Sequence, residues 1–200
     1  GAARAWLDSG GTPRAPGRIV QECGAGLVPI VCDGADLAFQ APATRRSSPI
    51  EEDRLAEIAA ALGVNAGRIL DHQWVDDGPG WAAVEVSSAE EVLALEPDFS
   101  GLPEAMVGVV GARGRRGPGE AAYEVRAFAP GAGVAEDPVT GSLNASIGQW
   151  FLARGDVPLP YTVSQGARVG RAGLLTASHV EGAVWVGGAA ITRIVGEVAM

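Results

Sequence analysis

The stretch with the clearest chemical potential carries two acids, a proline and a Thr-Gly-Ser triplet. The run Glu-Asp-Pro-Val-Thr-Gly-Ser occupies positions 136–142, directly after a glycine-containing loop. The apolar residues that follow recur at helical spacing, so the pattern predicts a helix beginning at this run. Glu136 and Asp137 therefore precede a helix start, where a side chain acting on a bound ligand would have to lie. Asp137 is our candidate catalytic residue.

The predicted start of this helix is also a candidate anion site. We expect Thr140 to be the N-cap, so that the N–H groups near Gly141 and Ser142 have no acceptor within the helix. Those groups, together with the positive end of the helix dipole, favour a carboxylate or a phosphate. Thr140, Gly141 and Ser142 are therefore our candidate substrate-binding residues. The same pattern is also typical of a well-capped helix start without any ligand, and that alternative stays open.

Composition narrows the class of protein. The chain has 200 residues, 47% of them hydrophobic, with 29 glycines and 13 prolines, which favours many short strands and turns over a helical bundle. A formal net charge of -9 argues against nucleic acid or an anionic membrane as partner, because both require a basic surface. We find no membrane-spanning apolar run and no signal peptide pattern, and expect a soluble cytoplasmic protein.

Several cofactor chemistries are disfavoured by residues that the sequence lacks. All 15 basic residues are arginines, so no lysine can form a Schiff base with pyridoxal phosphate or complete a Walker-type phosphate loop. His72 and His179 are far apart and lack further ligands at zinc spacing. Cys23 and Cys32 are expected to be reduced thiols in strands away from Asp137, which disfavours a thiol mechanism. We therefore expect neither a cofactor nor a metal.

The chain contains an internal echo. The order helix, glycine, strand, hairpin occurs in residues 7–39 and again in residues 152–186, with similar local sequences at corresponding points. The counterpart of the 136–142 run would fall before residue 1, which leads us to expect an incomplete first half. We predict a division into residues 1–43, the remainder of that half, and residues 44–200, the second half.

Local patterns predict the elements around the candidate site. We expect strands over 18–23, 27–32 and 36–40, a linker over 41–49 and a helix ending before Gly63. Strands are further expected over 67–76 and 80–86, with a glycine-rich turn between them. A Gly/Arg-rich hairpin tip is expected over 113–119. Gln165 and Arg171 are possible cleft residues, but a structural role is the more common one for such positions.

The 136–142 run, preceded by Arg126-Ala-Phe-Ala-Pro130, closely resembles the signature of the phenazine-biosynthesis PhzF-like family. The segments Gly78-Pro-Gly-Trp81 and Gln165-Gly166 are similar to further family positions in the same order. The resemblance implies an α+β fold like that of diaminopimelate epimerase. Such a fold has two pseudo-symmetric halves, each a curled mixed sheet around a central helix, and here the first half is expected to be incomplete.

The resemblance also implies a reaction. The family's chemistry is cofactor-free proton transfer at a carbon near a carboxylate, as in isomerisation of a dihydro-hydroxyanthranilate, and its members often form dimers. Asp137 would be an acid or proton relay, Ser142 would hydrogen-bond the substrate, and the backbone around Thr140 and Gly141 would hold its carboxylate. The family's glutamate base and Gly-His motif would precede residue 1. The partner is thus expected to be a small carboxylate-bearing substrate.

Two other functions stay open at this point. A non-catalytic binder of small carboxylates, or an inactive fragment that lacks the general base, would have the same helix start without turnover. A phosphate or nucleotide site is less favoured, because Glu136 and Asp137 would repel a polyanion.

Overall fold

The computed structural model describes residues 1–34, 36–114 and 120–196. Within these ranges the longest helix, α4, begins at the Thr-Gly-Ser run as predicted. The helices are Ala2–Asp8 (α1), Glu52–Leu62 (α2), Ala89–Ala94 (α3) and Gly141–Arg154 (α4). The strands are Arg18–Cys23 (β1), Gly26–Asp33 (β2), Asp36–Gln40 (β3), Arg46–Ser48 (β4), Asp71–Asp76 (β5), Ala82–Val86 (β6), Val107–Ala112 (β7), Tyr123–Ala129 (β8), Val134–Asp137 (β9), Tyr161–Gln165 (β10), Gly173–Val180 (β11) and Ala183–Ala189 (β12).

The strands form one continuous mixed sheet. Its order is β1-β2-β3-β12-β11-β10-β8-β7-β6-β5-β4, and β9 pairs with β8 beside this path. The β6/β7 and β8/β10 pairs are parallel, and the other pairs are antiparallel. With few helices against such a sheet, the molecule has the α+β class that we expected. No helix among the described residues has the length and apolarity that crossing a membrane requires.

The internal echo corresponds to two three-stranded units that meet edge to edge. The strands β2 and β11 begin at positions 26 and 173, and β3 and β12 begin at 36 and 183, so both pairs are 147 residues apart. The same offset relates Phe39 to Val186, and these two residues are directly paired where β3 meets β12. A local two-fold axis therefore passes through this pair. The predicted boundary at residue 43 stays a prediction.

Two hydrophobic clusters hold the sheet and helices together. One surrounds the buried face of α4, and the other lies under α2 and α3. The α4 side chains in the first cluster are Leu143, Ile147, Trp150 and Phe151, which pack against residues of β8, β10, β11 and β12. Burying this face anchors α4, so its first turn has a defined position relative to the sheet.

Local predictions were correct for β1, β2, β3 and the end of α2 but wrong at two places. Residues 46–48 form the edge strand β4 inside the predicted linker, because their backbone pairs with β5. Their Arg-Ser-Ser sequence has no apolar alternation, so only the partner strand makes them a strand. The strand predicted over 67–76 begins at Asp71, because residues 66–68 form a 3-10 turn capped by Asn65. Of the hairpin tip predicted over 113–119, residues 115–119 lie outside the described residues.

Candidate active site at the amino end of the central helix

Thr140 is the N-cap of α4, as the sequence predicted, but its side chain does not cap the helix. The Thr140 hydroxyl donates to Asp137 Oδ2 at 2.6 Å and accepts from the Gln165 amide at 2.8 Å. The first backbone bond of the helix runs from Asn144 N–H to Thr140 C=O at 3.1 Å. The N–H groups of the three residues between them therefore have no acceptor in the helix. The helix start is thus the one that we predicted from the sequence, and the binding of an anion by its free N–H groups stays a prediction.

Gln165 joins the loop before α4 to the sheet. Its amide oxygen accepts from Thr140 N–H at 3.1 Å and from the Asn144 side chain at 2.9 Å, while its amide nitrogen donates to Asp137 C=O at 2.9 Å. Gln165 is 1% exposed. The next residue, Gly166, has φ +96°, and a Cβ there would lie 2.5 Å from Pro138 C=O. Gln165 therefore positions the loop.

Glu136 and Asp137 point to opposite sides of β9 and have different partners. Consecutive residues of β9 face opposite sides of the strand. The Glu136 carboxylate is held by the Arg126 guanidinium through bonds of 2.7 and 3.0 Å. Only Asp137, which is half-buried, is directed to the start of α4, where it receives the Thr140 hydrogen bond.

Gly141 opens onto the larger of two adjoining cavities. This cavity has a volume of about 640 Å³, and Cys23, Phe39 and Val139 also line it. A Cβ at Gly141 would lie 3.1 Å from the Phe39 ring, so glycine permits this close packing. Cys23 is a free thiol in a strand, as expected, but it shares this cavity with the helix start.

Ser142 lines the smaller cavity, a cleft of about 460 Å³, with Arg45, Asp77 and Pro79. The Ser142 hydroxyl accepts a hydrogen bond from the Trp81 indole N–H at 3.0 Å. This bond ties the 76–81 turn to the first turn of α4. The Ser142 O–H proton remains available to a ligand, since a hydroxyl both accepts and donates.

Asp77 is an acid of this cleft whose carboxylate lacks hydrogen-bond donors. From the sequence we had expected Asp77 only as part of a turn. It is 3% exposed, and neither carboxylate oxygen has a hydrogen-bond donor among the described residues. Burial raises the pKa of Asp77 from 3.8 to about 6, and the nearby negative charge of Asp76 adds to this. The Ser146 hydroxyl and Arg45 favour the charged form, although no hydrogen bond of normal geometry reaches the carboxylate.

A signal for Asp77 existed in the sequence. Two adjacent acids precede Gly-Pro-Gly, and a turn needs only one of them. Asp76 has that role, because its Oδ1 accepts from Gly78 N–H at 2.6 Å and from Gly80 N–H at 2.7 Å. The second acid was therefore available for another function.

The remaining candidates lie outside this arrangement. The guanidinium of the exposed Arg171 bonds to Gly170 C=O at 3.2 Å, and Arg171 lines neither cavity. Asp137 also lines neither cavity. Across the described part of the chain, no group of three or more His, Cys, Asp or Glu side chains is arranged to hold a metal ion.

Comparison with known proteins identifies relatives of this chain. The curated protein "Antisense-enhancing sequence 1" of Schizosaccharomyces pombe is 31% identical over 202 residues, covering 90% of this chain and 66% of that protein. "Uncharacterized isomerase PA2770" of Pseudomonas aeruginosa is 34% identical, covering 70% of this chain and 49% of its own length. The chain thus spans about half to two thirds of the length of these curated relatives.

Solved structures share the fold. A phenazine biosynthesis protein of the PhzF family from Enterococcus faecalis superposes with a TM-score of 0.70 at 22% identity, covering 94% of this chain and 66% of that one. A predicted epimerase, PA4716, from Pseudomonas aeruginosa gives a TM-score of 0.69 at 19% identity, covering 94% of this chain and 68% of that one. The family described as phenazine biosynthesis-like protein, PhzC-PhzF, matches residues 1–196. With that match and the shared fold, this chain belongs to the PhzC-PhzF family.

Proposed function

We propose that the chain provides the active site of a cofactor-independent isomerase or epimerase that moves a proton at a carbon near the carboxylate of a small substrate. The observation that carries the proposal is the amino end of α4, where Gly141 and Ser142 open onto two adjoining cavities. Family membership supports it, and one relative is named as an isomerase. The proposal includes a homodimer, as the family resemblance implies, and a cytoplasmic location, as the sequence patterns led us to expect.

The chemistry needs the features that this helix end supplies. A C–H proton near a carboxylate is weakly acidic, so its removal requires a placed base and stabilisation of the developing anion. N–H groups without helix acceptors at Gly141 and Ser142 would bind the substrate carboxylate, assisted by the helix dipole. These donors are positioned before the reaction, because the buried face of α4 and the Gln165 bonds hold the turn in place.

In this proposal Ser142 donates a hydrogen bond to the substrate while accepting one from Trp81. Asp137 is the acid or proton relay, connected to the helix start by its bond to the Thr140 hydroxyl.

One observation favours a second candidate function, a binder of small carboxylates without turnover. Asp137 lines neither cavity, whereas Gly141 and Ser142 do. A binding protein would need only the latter two residues.

Deuterium wash-in separates these functions. A panel of 2-amino and 2-hydroxy carboxylates together with dihydro-hydroxyanthranilate is incubated in D₂O, and incorporation is followed by mass spectrometry. We expect exchange in at least one compound and a fall of about 100-fold or more in Asp137→Ala, the usual loss when a positioned acid or base is removed. Asp53→Ala, an exposed aspartate of α2, is the control and should exchange at the original rate.

Binding is measured independently with benzoate. Because the Trp81 indole N–H donates to Ser142, its NMR resonance reports on the first turn of α4. We expect benzoate to shift this resonance, identified as the one lost in Trp81→Phe. A shift without exchange in any compound would favour the binding function over the isomerase. Full exchange in Asp137→Ala would contradict the role of that residue.

A further inference from the structure

An arginine without a carboxylate partner faces the cleft that contains Ser142. Arg45 is exposed and lines this cleft together with Ser142 and Gly78. Its backbone N–H donates to Asp76 C=O at 2.7 Å, so the backbone of Arg45 is held beside the 76–81 turn. No ion pair or hydrogen bond joins the Arg45 guanidinium to another residue in the described ranges. Its charge is therefore available to a ligand at the first turn of α4.

The neighbouring Arg46 has a structural role instead. Its Nη2 atom lies 2.6 Å from Glu51 Oε1, and its Cζ atom lies 3.9 Å from the centre of the Trp74 ring. Arg46 begins β4, and consecutive residues of an extended chain point to opposite sides. Arg45 therefore faces away from the partners of Arg46 and toward the cleft.

The Arg45 guanidinium presents its face to the turn and leaves its edge open. A Cβ built at Gly78 would lie 3.9 Å from Arg45 Cζ and 4.0 Å from both Nη1 and Nη2, so the plane of the guanidinium lies over Gly78. The N–H donors of a guanidinium lie in that plane and form a fork that matches a carboxylate. This fork is directed along the cleft rather than into the turn.

The cleft already contains negative charge, so a bound carboxylate needs a cation nearby. Asp76 and Asp77 are adjacent in the turn, and a further negative charge beside them is repelled. Asp77 is 3% exposed, its oxygens are shielded, and it forms no contact ion pair with Arg45 among the described residues. Arg45 thus retains the capacity to offset the charge of a ligand in this space.

We propose that Arg45 is a substrate-binding residue whose guanidinium pairs with the substrate carboxylate from the wall formed by the 76–81 turn. The inference rests on the proposed function and adds to it a side chain that binds the same carboxylate as Gly141 and Ser142. The helix start supplies neutral donors, and Arg45 supplies a full positive charge. The site therefore selects carboxylates over uncharged analogues, because the charge-assisted bond to the fork requires an anion.

Benzoate titrations followed by the Trp81 indole resonance test this assignment. Arg45→Met removes the charge but keeps an unbranched side chain, and we expect the Kd for benzoate to rise about 10-fold, the usual loss when a hydrogen bond between charged groups is removed. Arg45→Lys keeps the charge without the fork and should give an intermediate Kd. Arg171→Met is the matched control, because Arg171 is also exposed and lines neither cavity, and it should leave the Kd unchanged.

Salt dependence and kinetics separate an ionic contact from a structural role, and circular dichroism checks that each variant folds. Added NaCl should weaken benzoate binding to the unmodified chain more than to Arg45→Met, because an exposed ion pair is screened. With the compound that exchanges in D₂O, Arg45→Met should raise KM and change kcat little, as expected for a residue that binds the substrate carboxylate. A distorted site would instead lower kcat.

The outcomes distinguish this inference from the proposed function. An unchanged Kd in Arg45→Met, an equal loss in Arg171→Met, or a loss without altered salt dependence would overturn the assignment of Arg45 while leaving the isomerase intact. The expected rise in Kd without deuterium exchange in any compound would overturn the isomerase and support Arg45 as a residue of the binding function. Absence of benzoate binding to the unmodified chain would overturn the carboxylate site, and the inference with it.

Discussion

At the scale of single residues, the structure gives different surroundings to two aspartates that look alike in the sequence. Asp77 and Asp137 are each the second acid of an adjacent acidic pair, and each has a proline within the next two residues. Asp137 receives a hydroxyl hydrogen bond at 2.6 Å and is half-buried, whereas Asp77 is buried without a donor from the described chain. Burial disfavours the ionised form of Asp77 and raises its pKa, so two acids with similar local sequences have different surroundings in the folded chain.

Asp77 should cost the protein stability at neutral pH. Its folded pKa, about 6, lies above its usual 3.8, so between these values the folded state retains a proton that the unfolded chain loses. Stability therefore falls as pH rises through this window, by about 3 kcal/mol for a shift of roughly two pKa units. Asp77→Asn cannot ionise, but its amide still lacks partners, which costs about 1 kcal/mol.

We expect Asp77→Asn to be more stable than the original chain by about 2 kcal/mol at pH 8, and to lose this advantage by pH 4. Urea unfolding at the two pH values measures the difference. An unchanged or lower stability of the variant at pH 8 would mean that the surroundings of Asp77 do not disfavour its charged form.

At the scale of elements, a buried ion pair connects the end of α3 to β9, the strand that contains Asp137. The Arg126 guanidinium, on β8, bonds to Glu136 on β9 and also to the backbone carbonyl of Leu95 after α3, at 2.7 Å. The Arg126 and Glu136 side chains are 5% and 10% exposed. Glu136 thus holds its strand in register, while its neighbour Asp137 faces the site.

Breaking this pair should be costly. Glu136→Gln leaves the Arg126 charge buried beside a neutral group, and we expect a loss of about 3–5 kcal/mol in the free energy of unfolding. Glu57→Gln, which breaks the exposed Arg54–Glu57 pair of α2, should cost about 0.5 kcal/mol or less. Denaturant titrations compare the two variants. Equal losses would show that burial does not determine how much the Arg126–Glu136 pair contributes to the free energy of unfolding.

At the scale of the whole molecule, the two three-stranded units meet at one strand pair on a local two-fold axis. Five residue pairs join β3 to β12 around Phe39 and Val186. Phe39 also lines both cavities, so the junction between the units forms part of the candidate site. The candidate site consequently depends on this junction as well as on α4.

A larger side chain next to this junction should loosen it. At Gly188 of β12 a Cβ would lie 2.9 Å from the backbone oxygen of Leu174, so Gly188→Ala requires a backbone shift and should cost about 1–3 kcal/mol. Hydrogen-exchange mass spectrometry should show faster exchange in β3, β11 and β12 than in β6 and β7. Gly101→Ala, where a Cβ meets nothing within 4 Å, is the control. Uniformly faster exchange across the sheet would contradict a local effect.

The sequence by itself determined the features that depend on near neighbours along the chain. The spacing of apolar residues and the small polar residues before them set the start of α4 at Gly141, and the contiguous 136–142 run was specific enough to indicate the family and its α+β fold. The echo of strand and hairpin patterns likewise anticipated the paired units. These patterns are readable because each results from interactions within one element or one turn.

Only the tertiary structure decided which side chains share a site. Trp81 and Ser142 are 61 positions apart, and Gln165 reaches Thr140 across 25, so no local pattern could predict either bond. The side chains of Glu136 and Asp137 point in opposite directions because both residues are in the strand β9. The burial of Asp77 results from the packing of α4 beside its turn. Burial and hydrogen bonding set the chemistry of an acid, and both are properties of the packed chain rather than of the residue type.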